Sequence, residues 1–338
     1  MPMAEAPTPR LADDKGRQVS YLRLSVTDRC NLRCLYCDNQ MSHRLTHHDV
    51  LRYEELLDLM GLAQGLGIGK VRLTGGEPFA RRDFMDFLER ARGRFPDLSL
   101  RLTTNGTLLA PFAQRLAAAG VDRVNISLDT LDAANFARVT GQDLYRQVRQ
   151  GIDACLAAGI RVKLNAVAMR GVNDAELPGF LALARELPID IRFIEFMPMG
   201  GAEWHARQVW KAEDILAEAK GLVGLTPLPR DAEDAGPAQM FGIEGGKGRL
   251  GLITPLSNHF CASCNRLRIT SGGVLRTCLF SDRVYRLRPA LRHPKLGLPA
   301  VERILRLALR KKPVGADLLA LRQAGHGVSS TSMSSIGG

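Results

Sequence analysis

Apolar and polar residues alternate in short stretches over the first two thirds of the chain, and each stretch is followed by apolar residues at helical spacing. Leu22, Leu24 and Val26 alternate with Arg23 and Ser25, a period of two that predicts a strand. Leu56, Leu59, Met60 and Ala63 then mark one face of a helix. The pair repeats with Val71 and Leu73 before Phe84, Phe87, Leu88 and Ala91. Leu100 and Leu102 precede a helix opened by Pro111 and closed by Gly120. Val124, Ile126 and Leu128 lead to Leu144, Val148, Ile152, Cys155 and Leu156. Val162, Leu164 and Ala166 lead to Leu177, Phe180, Leu181 and Ala184, and a last strand is expected near Ile191 to Glu195. Six strands alternating with helices predict an α/β fold with a parallel sheet, open or curled into a partial barrel.

The other parity of the same strands is polar: Arg23 and Ser25, Arg72, Arg101 and Thr103, Asn125 and Ser127, Lys163 and Asn165. A closed eight-stranded barrel fills its interior with branched apolar side chains. A polar interior leaves groups unpaired unless a ligand or water occupies it. The pattern therefore predicts a wet, cation-lined cavity. Ligand sites in such folds gather at the carboxyl ends of the strands. There the chain carries Thr74-Gly75-Gly76-Glu77-Pro78, Thr103-Thr104-Asn105-Gly106 and Ser127-Leu128-Asp129.

Beyond Phe196 the pattern weakens. Gly200 and Gly201 mark a boundary, and one further helix is expected around Ala212 to Lys220. The division that follows is a flexible tail over residues 1–18, a barrel over 19–199, a smaller carboxyl-terminal domain over 200–328 and a terminal tail over 329–338. The chain's 338 residues, 45% hydrophobic and 24% charged, are ordinary for a globular protein of this organisation. No stretch approaches a membrane-spanning length, and Met1 to Arg17 lacks the apolar core of a signal peptide. A net charge of +11 calls for an anionic partner. From Arg276 to Lys312 eleven Lys or Arg face only Asp282 and Glu302, which reads as a solvated basic face. No aromatics interleave those cations as nucleic-acid stacking requires.

Chemistry concentrates in the cysteines. Cys30, Cys34 and Cys37 share one loop after the first strand, and Cys261, Cys264 and Cys278 form a second trio. Seven cysteines in metal-type spacing suit a reducing compartment, the cytoplasm, better than a disulfide framework. Thiolates favour iron–sulfur clusters or zinc. Three ligands leave one iron of a cubane cluster open, whereas a closed zinc site needs a fourth ligand, for which His43, His47, His48 and His259 are candidates. Cys155, on an apolar helical stripe, reads as core. Arg266 and Arg268 alternate on one strand face, and guanidinium forks there suit a phosphorylated substrate.

The first trio, C-x3-C-x-aromatic-C, resembles the radical S-adenosylmethionine (SAM) superfamily, whose fold is a partial (β/α)6 TIM-type barrel. The resemblance implies a 4Fe–4S cluster on Cys30, Cys34 and Cys37 that binds SAM through its open iron and cleaves it to a 5′-deoxyadenosyl radical. It implies SAM contacts at Tyr36, Gly76, Ser127, Met197 and Arg192. Adding C-x2-C-x13-C, Asn265-Arg266-Leu267-Arg268 and the terminal Gly337-Gly338, the chain is similar to the GTP 3′,8-cyclases of molybdenum cofactor biosynthesis, from about Val19 to Cys278 and again at its last residues.

That family resemblance implies a second 4Fe–4S cluster on Cys261, Cys264 and Cys278 that binds the guanine of GTP. It implies a lyase that forms (8S)-3′,8-cyclo-7,8-dihydroguanosine 5′-triphosphate. Arg23, Lys70, Arg72, Thr103, Lys163, Arg266, Leu267 (through its backbone) and Arg268 would contact GTP. Arg23, Arg266 and Arg268 would act in catalysis, with Gly337 and Gly338 threaded into the site. An electron donor, a downstream cyclic pyranopterin monophosphate synthase and a homodimeric state are implied too, with no nucleic acid or membrane partner. The segment Arg283 to Pro299 departs from the family pattern, with Arg286 where an acidic residue is expected. Two other readings stand beside it: a peptide- or protein-modifying radical SAM enzyme with an auxiliary cluster, and a zinc-dependent nucleic-acid-binding protein.

Overall fold

In the computed structural model, which describes residues 11–37, 44–199, 205–229 and 236–322, every expected strand forms. The order is β1 (Tyr21–Ser25), α1 (Tyr53–Gly65), β2 (Lys70–Thr74), α2 (Phe84–Arg94), β3 (Ser99–Thr104), α3 (Ala113–Ala118) and β4 (Arg123–Ser127). It continues through α4 (Ala133–Thr140), α5 (Tyr145–Ala157), β5 (Arg161–Ala168), α6 (Leu177–Glu186) and β6 (Ile189–Glu195). Adjacent strands of this series pair in parallel. Their apolar parity makes the core: Leu24, Leu73, Leu102, Ile126 and Leu164 have no exposed surface, and neither do Phe87, Ile152 and Phe180 of the covering helices. Helix α4 was not legible in the apolar spacing; it starts because Asp132 accepts the Asn135 amide at 2.7 Å, satisfying one otherwise orphaned helical donor.

The last third adds α7 (Ala212–Lys220), β7 (Leu225–Pro227), β8 (Gln239–Ile243), β9 (Arg249–Ile253), β10 (Arg266–Ile269), β11 (Val274–Arg276) and β12 (Tyr285–Arg286). Helices α8 (Arg288–Arg292), α9 (Gly297–Arg310) and α10 (Gly315–Arg322) follow. These strands build no sheet of their own. β9 joins β6 and β10 joins β1, both in parallel, so one twelve-stranded sheet runs β12-β11-β10-β1-β2-β3-β4-β5-β6-β9-β8-β7. The six-stranded barrel therefore stays open, and both of its edges are capped by chain from beyond residue 200.

Two expectations change. The basic stretch is not simply a solvated face: Arg276 and Lys312 are buried. Arg292 meets the Glu55 carboxylate at 2.6 and 2.9 Å, and Arg288 and Arg292 donate to backbone carbonyls of Asp49, His48 and Val50. These cations hold α8 to the segment before α1, while α9 buries Ala300, Val301, Leu305, Ala308 and Leu309 on one stripe. The expected amino-terminal tail is likewise ordered from Leu11, which is buried. Asp13 and Arg17 pair at 2.5 Å with side chains 1% and 5% exposed. Burial of both partners of an ion pair is what composition could not signal. No helix among the described residues is long and apolar enough to cross a membrane.

Candidate functional site

The strand register converts the polar parity into ranks of side chains. Arg266 of β10, Tyr21 of β1 and Lys70 of β2 are in register. The next rank is Arg268, Arg23 and Arg72. Across the other half run Thr103, Asn125, Lys163, Asp190 and Arg249, and then Ser127, Asn165 and Arg192. Apart from Asp190, all these residues line one cavity of about 420 Å³. Arg101, in register with Arg72 and expected inside, is instead turned to Asp122. Ser25 is buried and donates to the Thr27 carbonyl, so it shapes the loop and not the cavity wall.

The two halves differ in charge. Asp190 grips Arg249 at 2.8 and 2.6 Å and lies 3.9 Å from Lys163, so those cations have a built-in counter-ion. The ranks on β10, β1 and β2 carry five cations and no carboxylate. Side chains in register on neighbouring strands are close enough for their like charges to repel. Burial, with Arg268 beside it, holds Arg23 well below the usual guanidinium range. Burial and Arg266 bring Arg268 down to about 10. Burial pushes the Tyr21 phenol up, but the charges of Arg72 and Arg23 and the Arg72 hydrogen bond reverse this and leave it at about 7. This wall is built to receive a polyanion.

At one end of the cavity lie Cys30, Cys34 and Cys37. The Leu32 amide donates to Cys30 Sγ at 3.4 Å and Asn105 Nδ2 approaches it at 3.6 Å. Asn105 is fixed in turn by Glu77, which accepts the Asn105 amide at 2.6 Å and the Thr104 hydroxyl at 2.8 Å. Burial lifts the Glu77 carboxyl to about 7 against those donors. Gly75 has φ +147°, and a Cβ on Gly76 would drive into the Arg29 carbonyl, so neither position accepts a side chain without movement of the cysteine loop. Tyr36 donates to Asp129 at 2.6 Å. Burial raises Asp129 to about 6 despite that bond and the Val167 amide.

Cys261, Cys264 and Cys278 line the same cavity beside Arg266 and Arg268. A Cβ on Gly315 would sit 3.2 Å from Cys278 Sγ and 3.3 Å from Cys261 Sγ, so the bare backbone of α10 closes this pocket. Arg17 donates to the carbonyls of Cys261, Lys312 and Pro313 at 3.1, 2.9 and 3.1 Å, and Lys312 Nζ to Arg266 O at 2.5 Å. His259 does not line the cavity with the trio, and its Nδ1 meets the Pro255 carbonyl at 2.7 Å.

Does the donor set fit iron–sulfur clusters? None of the six thiols is in a disulfide, and all six line the cavity. Among the described residues no three His, Cys, Asp or Glu side chains gather closely enough for a single metal ion. Three thiolates facing a common space, with no fourth protein ligand among the described residues lining it beside them, fit a 4Fe–4S cluster that keeps one iron open. Asn165 Oδ1 is buried with no hydrogen-bond partner among the described residues, and it sits in register between Ser127 and Arg192. Such an orphaned acceptor fits a hydroxyl-bearing ligand.

Of the residues expected at the site, Arg23, Lys70, Arg72, Thr103, Lys163, Arg266 and Arg268 line the cavity, as do Tyr36, Gly76, Ser127, Met197 and Arg192. Leu267 does not: its side chain is in the core, and only its backbone lies between the two arginines. Gly337 and Gly338 lie outside the described residues, as does His43. Arg17, Tyr21, Arg249 and Lys312 were missed. Tyr21 shares the parity of Arg23 and could have been found from it; the others are brought in by contacts distant in sequence.

A family model for the radical SAM superfamily matches residues 24–184, and one for the carboxyl-terminal region of molybdenum cofactor synthesis proteins matches 189–318. The chain is 41% identical over 285 residues to the GTP 3′,8-cyclase of Thermodesulfovibrio yellowstonii, covering 83% of this chain and 88% of that one. It is 40% identical over 333 residues to that of Alkaliphilus oremlandii, covering 97% and 100%. The enzyme of that name from Paracoccus denitrificans is 43% identical over 333 residues, covering 97% and 96%. The crystal structure of Streptococcus suis SuiB superposes with a TM-score of 0.63, over 92% of this chain and 70% of SuiB. At 16% identity that likeness concerns the fold alone.

Proposed function

The chain belongs to the GTP 3′,8-cyclase family, and from that premise we propose which of its own residues do the work. It is a radical SAM enzyme with two 4Fe–4S clusters, and it cyclises GTP in molybdenum cofactor biosynthesis. When bound, the first cluster and SAM supply a 5′-deoxyadenosyl radical that removes the ribose 3′ hydrogen and so allows C3′ to bond to C8. In our reading Cys30, Cys34 and Cys37 hold that cluster, and Cys261, Cys264 and Cys278 hold the second.

Gly76 offers bare backbone to the methionine moiety, while Ser127 and Asn165 face the ribose of SAM. Tyr36, fixed by Asp129, braces the adenine, and Met197 and Arg192 complete that side. Arg23, Arg72, Arg266 and Arg268, with Lys70, Lys163 and Thr103, bind and orient GTP. Holding two reactants in one orientation is where the protein contributes most to such a step. Gly337 and Gly338 enter the site and assist turnover. The barrel over residues 19–199 carries SAM chemistry, and the segment after 200 carries substrate recognition. We further propose a homodimer in the cytoplasm, a one-electron donor, and delivery of product to a cyclic pyranopterin monophosphate synthase.

The observation that carries this reading is that both cysteine trios line one cavity together with five cations of β10, β1 and β2 whose ranks hold no carboxylate. Anaerobic incubation of reconstituted protein with SAM, GTP and a strong reductant should yield 5′-deoxyadenosine and a cyclised nucleotide; neither product would mean the reading is wrong. Deleting Gly337 and Gly338 should abolish the cyclised product while both clusters persist in the visible and electron paramagnetic resonance spectra.

A further inference from the structure

Tyr21 stands in the middle of the first cationic rank, between Arg266 on one strand and Lys70 on the other. Arg72 reaches back from the next rank and donates through Nε to the Tyr21 hydroxyl oxygen. The Lys70 ammonium and the Arg72 guanidinium lie 5.7 and 5.9 Å from the centre of its ring. The same Arg72 is fixed on its far side, where Nη1 donates to Leu102 O at 3.1 Å and Thr103 Oγ1 at 3.3 Å.

A phenol hydroxyl has one proton to donate. The charged groups around Tyr21 are Lys70 and Arg72 of β2, Arg23 of its own strand and Arg266 of β10. Lysine and arginine are donors only, so none of them can accept that proton. Among the described residues no hydrogen bond takes it, and none takes Arg72 Nη2. Two donors, one on a phenol and one on a guanidinium, thus stand in ranks on β10, β1 and β2 that carry no carboxylate, while the carboxylates that do line the cavity, Asp129 and Glu195, are engaged by Tyr36 and Ser257. An acceptor that is also negatively charged suits both donors and the surrounding cations.

We propose that Tyr21 is a substrate-binding residue for the triphosphate of GTP: its oxygen accepts from Arg72 Nε and its hydroxyl donates to a phosphate oxygen. Arg72 Nη2 donates to the same phosphate group. This assignment rests on the GTP reading above. Tyr21 also sets the angle of Arg72, since Leu102, Thr103 and the phenol together leave that guanidinium one direction in which to point.

The test is Tyr21→Phe, which keeps the ring against Lys70 and Arg72 and removes only the hydroxyl. The dissociation constant and KM for GTP should rise about tenfold, as loss of one hydrogen bond to a charged acceptor requires. kcat should stay within about twofold, because the reacting carbon and the radical source are untouched. Inhibition by guanosine, which has no phosphate, should be unchanged, and so should SAM binding and iron content. Equal losses for GTP and guanosine, or GTP affinity equal to the unsubstituted enzyme, would overturn the role of Tyr21 while leaving the GTP reading intact. Unsubstituted enzyme that neither binds nor converts GTP would overturn both.

Discussion

The first cysteine site is made by one short stretch of chain, and the second is assembled from several that are far apart. Cys30, Cys34 and Cys37 lie within eight residues, braced by the next two strand-end loops through Glu77 and Asn105. The second trio needs the loop at Cys261, the strand end at Cys278, the backbone at Gly315 and the side chain of Arg17 from the other end of the protein. A local site fails only when its own ligands fail. A site closed by distant segments is exposed to every substitution that loosens any of them.

The largest effect should come from breaking the local site. Cys34→Ser should remove roughly half of the iron, since soft thiolate ligation is lost at one cluster and kept at the other. Cleavage of SAM should fall to background, measured as 5′-deoxyadenosine. Retention of the full iron complement would mean that Cys34 is not a ligand.

Next comes a wedge at the second site. Gly315→Val places carbon between Cys278 Sγ and Cys261 Sγ and against Phe280, at 2.9 Å from its ring even for the first atom. Second-cluster iron should be lost while the first cluster still cleaves SAM, so 5′-deoxyadenosine forms without cyclised nucleotide. Cyclisation at an unchanged rate would show that α10 yields and does not seal the pocket.

The same contrast explains what could be read from the sequence. The six barrel strands, the inward polar parity and both trios were legible because each is a local pattern: period two, period 3.6 or a cysteine spacing. That β10 would lie beside β1 was not legible, because nothing in Arg266-Leu267-Arg268 names its neighbour. The same holds for Arg17, which looked like part of a charged tail until its three carbonyl partners from residues 261, 312 and 313 were in place. Arg101 was misread for a related reason: parity and register put it level with Arg72, but the carboxylate of Asp122, just ahead of β4, claims its guanidinium.

A smaller effect follows at that arginine. Arg17→Met removes the donor to three carbonyls around the second trio and leaves Asp13 buried without its counter-charge. Outer residues of this kind typically change metal affinity or activity by about 10–100-fold. Loss of one partner of a buried pair destabilises by about 3 kcal/mol. Iron should leave the second site first on titration with a chelator, and thermal unfolding should shift down. Equal loss from both sites would place Arg17 in general stability and not in cluster retention.

The smallest effect sharpens the comparison at the cationic wall between the two sites. The Tyr21 phenol titrates near 7 because Arg72, Arg23 and Arg266 outweigh its burial. Below that pH it is neutral and can donate to a phosphate; above it, the phenolate has no proton to give and repels a polyanion. Bound triphosphate adds negative charge beside the phenol and so holds the proton on. Affinity for GTP is therefore fully present below about 7 and weakens as pH rises through that value, by a few-fold per unit. Tyr21→Phe has no such group, so the ratio of its KM to that of the unsubstituted enzyme should fall between pH 6.5 and about 8.5. Ionisation of GTP itself is common to both enzymes and cancels in the ratio. A ratio independent of pH would show that the phenol keeps its proton throughout, and that the surrounding cations are screened before the substrate arrives.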